Sequence, residues 1–184
     1  MAEIKGTVLA DTIHAIRSRA GDPELQKIIS QLSPAAREVF AQPIQISIWY
    51  PPDTFVEFLE VDVQVSAAGN REVLIARSER VIEAQLRGVY KIFVKFGSPG
   101  FVITRISAVH ATYFKDVHII PELQEHSATI KYIGFAKHHD IMQFIILGFF
   151  RKALEICGAK QVSLNFTVPI SEGGAFSELN ITWA

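Results

Sequence analysis

The sequence predicts an α+β fold, with helices in the first two-thirds followed by a strand–helix–hairpin unit that closes a small antiparallel sheet. Two observations lead there. Up to about Phe114 the apolar residues recur at helical spacing, whereas from Val162 onward they alternate with period two. Between these regimes, residues 141–156 are apolar nearly all round, as expected of a helix buried on more than one side. No repeat, charge block or Ser/Gly-rich linker divides the 184 residues, so they read as one domain, with a helical N-terminal part over about 1–65 and helices plus sheet over about 66–184.

Taken in order, Ile4, Val8, Ile13 and Ile16 mark an amphipathic first helix ending at Gly21. Asp22-Pro23-Glu24 supplies an N-cap acceptor, a proline at the first helical position and an acid in the first turn, so a second helix starts there. Ser33-Pro34 repeats the device for a short third helix. The alternation Ile44-Gln45-Ile46-Ser47-Ile48-Trp49 after Pro43 predicts an extended segment, and Phe55, Phe58 and Leu59 begin another helix after Pro51-Pro52. Helical periodicity runs from Arg71 to Phe96, with Val73, Ile75, Val81, Leu86, Ile92 and Phe93 among its apolar positions, and breaks at Gly97-Ser98-Pro99-Gly100. A helix follows over about 101–114, the character changes near Pro121, and residues 127–135 form a strand. Gly158 stops the buried helix. In the last segments Val162, Leu164, Phe166 and Val168 share one face, and Leu179, Ile181 and Trp183 follow the same rule after the turn-rich residues 169–174.

Composition excludes several function classes. A formal charge of −1 gives no general attraction for nucleic acid or anionic membrane. The longest apolar run, residues 141–150, is interrupted by Gln143 and is far shorter than the roughly 20 residues a spanning helix needs. The lone Cys157 forms no internal disulfide framework, and the N-terminus has no apolar signal core; a cytoplasmic, soluble protein is expected. Catalytic templates are missing: no glycine-rich dinucleotide or phosphate loop, no nucleophile elbow and no zinc helix, so no enzyme is expected.

The histidines carry what chemistry there is. His138 and His139 adjoin Asp140 at the expected start of a helix, where adjacent side chains diverge by about 100° and share a metal poorly. A polar helix N-terminus accounts for them, with Asp140 favouring the dipole. His118 and His126 flank an irregular turn and read as surface residues, and His14 reads as a boundary residue of the first helix. Cys157 reads as a small core residue. His110 differs. It follows Ile103 and Ile106 at helical spacing and precedes Tyr113 and Phe114, which places an imidazole on the inward stripe of an apolar helix. Such an imidazole serves either as a hydrogen-bonded core residue or as the axial base of a haem iron.

Three stretches together resemble the haem–nitric-oxide/oxygen-binding (H-NOX) superfamily. Ile4-Lys5-Gly6-Thr7-Val8-Leu9, running on to Gly21, is similar to its first helix. Ile106-Ser107-Ala108-Val109-His110, with Pro121 following, looks like its proximal-histidine helix. Ile130-Lys131-Tyr132 through Gly158 and into the last strands resembles its strand–helix–strand end. That ending is also similar to four-vinyl-reductase-type ligand domains and TRAPP subunits, and Trp49-Tyr50-Pro51 with Phe96-Gly97-Ser98-Pro99 resembles an uncharacterised bacterial family. The resemblance implies an interior cavity, with His110 as proximal ligand of haem b if haem is bound, and Tyr132 and Pro121 as further cofactor residues. The superfamily's Tyr-x-Ser-x-Arg propionate clamp falls on Tyr132, Gly134 and Ala136, so the serine and arginine are missing and only Lys131 or Lys137 is at hand as a point charge.

These readings give a stand-alone, non-enzymatic sensory module holding an apolar small molecule and signalling through a separate protein partner. Phe93, Phe101, Ile106, Tyr113, Phe144, Ile145 and Phe149 are candidates for the pocket. The alternative is a haem-based gas sensor built on His110, and a further one is an interaction module whose core is simply filled. A homodimer through the first helices or the apolar faces around Trp49 is compatible with all three.

Overall fold

The computed structural model describes residues 2–86 and 98–184. Strand β1 (Glu3–Lys5) leads into helix α1 (Gly6–Gln31), followed by α2 (Pro34–Phe40), β2 (Trp49–Tyr50), α3 (Pro52–Ala67) and α4 (Val73–Leu86). Helix α5 (Pro99–Ala111) and strands β3 (Phe114–Lys115), β4 (His118–Leu123) and β5 (Ser127–Ile133) come next. A 3₁₀ turn (Lys137–His139), helix α6 (Met142–Ile156) and the hairpin β6 (Ser163–Val168) and β7 (Ser177–Thr182) complete the chain. The architecture is α+β, with one small antiparallel sheet ordered β2-β1-β3 and a larger one ordered β4-β5-β7-β6.

Several elements follow from local chemistry. The expected break at Gly21 is a non-helical kink, at φ 79° and ψ 177°, that divides α1 into two helical segments, with Pro23 at the start of the second. Ser33 caps α2 by accepting the Ala36 amide, and Ser98 caps α5 by accepting that of Phe101. Helix α4 is described as far as Leu86, and the later positions expected on it, Ile92 and Phe93, lie outside the described residues with Phe96-Gly97.

Three expectations are corrected. Ile4 belongs to β1 rather than to the first helix, because Lys5 donates to the Tyr113 carbonyl (2.8 Å) and Gly6 to that of Ile48 (2.8 Å), which ties this backbone to neighbouring strands. The alternating residues 44–48 do not extend; Ile48 donates to the Gln45 carbonyl (3.1 Å), which closes a turn and leaves Ile46 and Ile48 exposed. The irregular stretch around Pro121 is strand β4. It is an edge strand paired with β5, and a proline without an amide proton is tolerated at such an edge.

Two buried cores result. One joins α1–α3 and the start of α4, with Phe55, Phe58, Leu59 and Ile28 fully enclosed. The other joins α5, α6 and the larger sheet through Ile103, Ile130, Phe150, Leu154, Leu179 and Ile181. Helix α6 crosses α4 closely: a Cβ on Gly148 would strike the Ile75 carbonyl, and Ser78 donates to the Ile145 carbonyl at 2.8 Å. Phe114, Phe135 and Ile146 pack against both cores. No helix among the described residues is long and apolar enough to cross a membrane.

Candidate functional site

A cavity of about 690 Å³ lies where the two cores meet, walled by α1, α3 and α4 on one side and by α5, α6 and the strand residues Ile119 and Tyr132 on the other. Its volume lies in the range of small-molecule and cofactor sites. His110 sits on its wall at the last turn of α5, as helical spacing from Ile103 and Ile106 requires, both of which are buried.

The His110 ring stacks on Phe114, with centroids 4.4 Å apart and planes inclined by 14°, and meets the Tyr132 ring edge-on at 6.0 Å. Stacking uses the face of the imidazole and leaves its nitrogen lone pair, which lies in the ring plane, unobstructed by that contact. Burial, aided by nearby His118, pushes its pKa down to about 4, so the ring is uncharged at neutral pH. Tyr132 is 2% exposed, and burial holds its phenol well above the ordinary range. Among the described residues, no protein group hydrogen-bonds the His110 ring nitrogens or the Tyr132 hydroxyl, and no fully enclosed polar side-chain atom lacks a partner. Both groups therefore present their polar atoms toward accessible space.

Of the other residues singled out from sequence, Ile106, Tyr113, Ile145 and Phe149 share this wall. Three do not. Phe101 is exposed near the start of α5 with Arg105 over its ring at 4.9 Å, and Phe144 packs against the helical core. Pro121 lies opposite Ile130 on the edge strand, away from the cavity. Their positions follow from helix and strand register: each points to a face other than the one that lines the cavity.

Both clamp positions are substituted, and Gly134 is structurally blocked as well. Gly134 has φ 111°, and a Cβ there would collide with the Asp116 carbonyl oxygen, so no serine fits this backbone. Ala136 caps the 3₁₀ turn.

Sequence reasoning missed the polar half of the cavity. Asp62, 2% exposed on α3, accepts from Arg19 at 2.9 Å and Arg77 at 2.8 Å, and Arg77 also donates to Ser66 at 2.8 Å. Asp11 accepts from Gln85 at 2.6 Å, and its burial raises its pKa against that bond and against His14. The available signal was a carboxylate inside the apolar pattern of α3, which needs cationic partners when buried.

His138 and His139 also depart from expectation. The 3₁₀ turn brings both Nε2 atoms to the Asp53 carboxylate, at 2.9 and 2.7 Å, and buries His139 to 3% exposure. Bonds from His139 and His138 hold the Asp53 carboxyl below the usual range. Their donor atoms lie within 4.8 Å of one another, a spacing open to a metal. However, the Ala136 amide donates to His139 Nδ1 at 3.2 Å, which leaves the Nε2 proton on the nitrogen facing Asp53. The cluster is thus arranged as a hydrogen-bonded link from α3 to the turn before α6. Asp140, expected at the helix dipole, pairs instead with Arg71 at 2.9 Å.

No family model matches the chain, and no curated protein matches it. Solved structures do. An H-NOX protein from S. oneidensis in the Fe(II)NO ligation state is similar at TM-score 0.75 and 13% identity, over 98% of this chain and 99% of that one. An Fe(II) unliganded H-NOX protein from K. algicida is similar at TM-score 0.74 and 12% identity, over 98% and 97%. A structure described as giving insight into the mechanism of H-NOX activation is similar at TM-score 0.72 and 12% identity, over 98% and 96%. With helices in front, a strand–helix–hairpin behind and a cavity between them, this chain has the H-NOX fold.

Proposed function

We propose that this domain is a haem-based sensor of a diatomic gas, in which His110 is the axial base. The observation that carries the reading is the His110 imidazole itself: uncharged, largely enclosed, without a hydrogen bond from any described residue, and on the wall of a cavity of about 690 Å³. Metal ligation needs a neutral imidazole with an open nitrogen, and a buried imidazole without a partner carries a cost that ligation would offset. The similarity to H-NOX proteins described in Fe(II) and Fe(II)NO states supports the same reading.

The fit is good on the axial side and poor at the strand clamp. His110 would hold the iron, Phe114 would fix the orientation of the imidazole ring, and the apolar residues Ile106, Ile145 and Phe149 would exclude water. When bound, the iron would supply a reversible site for a diatomic gas. Any change at His110 would reach both cores through Phe114, which packs against each, and a separate protein would read the outcome. A second reading, an apolar ligand held without iron, draws on the blocked clamp at Gly134. An interaction module with a filled core does not suit a cavity of this size.

Reconstitution of the apo protein with hemin tests this. A Soret band that disappears in His110→Gly supports the haem reading. A colourless wild-type protein removes it and leaves the iron-free ligand.

A further inference from the structure

With the strand clamp blocked, the cavity still has a cationic rim, on helix α4. Arg77 and Arg80 are three residues apart and so lie on one helix face, and both reach the cavity. Arg77 is committed to Asp62. Arg80 is exposed and, among the described residues, is the one arginine without an ion pair, hydrogen bond or aromatic partner.

The neighbouring carboxylates are engaged elsewhere among the described residues. Arg19–Asp62–Arg77 closes one end of the α1–α4 wall, and Asp11–Gln85 closes the other. At 1.5 Å per residue, Arg80 lies about 4.5 Å along the helix from Arg77 and about 7.5 Å from Gln85, so it belongs to the cationic end. There Asp62 and Glu24 pair with Arg19, and Asp62 with Arg77, and neither carboxylate pairs with Arg80. A guanidinium offers a planar fork matched to a carboxylate.

We infer that Arg80 is the carboxylate-recognition residue of this cavity, so that its ligand is an amphiphile with an apolar body and a carboxylate at the α1–α4 rim. The inference rests on the cavity being the ligand site, and deepens that reading by naming the ligand's charged end. Haem propionates and a long-chain fatty acid share this chemistry.

The test is calorimetric titration of the full-length apo chain with hemin, hemin dimethyl ester, palmitate and methyl palmitate. Arg80→Gln should weaken binding of the free acid about tenfold and change the matching ester less than twofold. Arg80→Lys should recover part of the loss, and Arg105→Gln, on an arginine engaged with Phe101 outside the cavity, should have no effect. An acid–ester difference confined to hemin assigns the carboxylate to a propionate, and one confined to palmitate assigns it to a fatty acid; the second outcome upholds Arg80 while removing the haem reading. Equal effects on acid and ester, no effect on the acids, or no binding of either acid to the wild-type protein would overturn the inference.

Discussion

The two sides of the cavity treat their polar groups in opposite ways. On the helical side Asp62 is buried, yet it is met by two guanidiniums and a serine-linked contact, so its charge is satisfied within the fold. On the sheet side Tyr132 is buried and His110 half-buried, yet no described residue hydrogen-bonds their polar atoms. A buried group that is paired reports on stability, and one that is left open reports on a ligand. The contrast separates a paired network, Arg19–Asp62–Arg77, from the cavity groups left open, His110 and Tyr132 on one wall and Arg80 on the rim of the other.

Substitutions should separate the two walls, the largest effect coming from the paired side. Asp62→Ala leaves two arginines without their shared carboxylate and should cost about 3 kcal/mol in urea denaturation. If it costs nothing, the network is not a structural unit. Gly134→Ser, which would restore one clamp residue on paper, should cost about 2 kcal/mol in the same measurement, because it forces a side chain into the Asp116 carbonyl at a positive φ. Asp53→Ala, which removes the link to His138 and His139, should cost about 1 kcal/mol.

The smallest effect at neutral pH should come from His110→Leu, under about 1 kcal/mol, since the uncharged ring lacks a hydrogen bond to lose. Acid sharpens the contrast. The folded pKa of about 4 lies below the ordinary 6.5, so the unfolded chain binds more protons between these values. This contribution to stability is present above pH 6.5 and is lost as pH falls toward 4. The apo wild-type protein should therefore lose stability over that window more steeply than His110→Leu, as read from melting temperature against pH.

Much of the fold was legible because its sequence cues are local. The break at Gly21, the Ser33-Pro34 helix start and the period-two alternation of the last hairpin each depend on neighbours in the chain. The errors fell where long-range pairing decides. Ile4 follows helical spacing but pairs with Tyr50 and Phe114, and β4 carries a proline that reads as a break until β5 lies beside it. The same division holds at the site. Helical register put His110 on the inward face of α5, whereas the Asp62 network and the meeting of His138 and His139 at Asp53 join residues far apart in sequence. Phe101 and Phe144 show the limit of composition: aromatic residues near a cavity are counted easily, but helix register decides which of them face it.

Chemical rescue addresses the role of His110 most directly. His110→Gly deletes the imidazole and leaves space at the cavity wall, so apo His110→Gly mixed with hemin should lack the wild-type Soret band, and free imidazole should restore it by entering that space. A wild-type band that persists in His110→Gly without imidazole would show the iron held elsewhere and would contradict the assignment of His110.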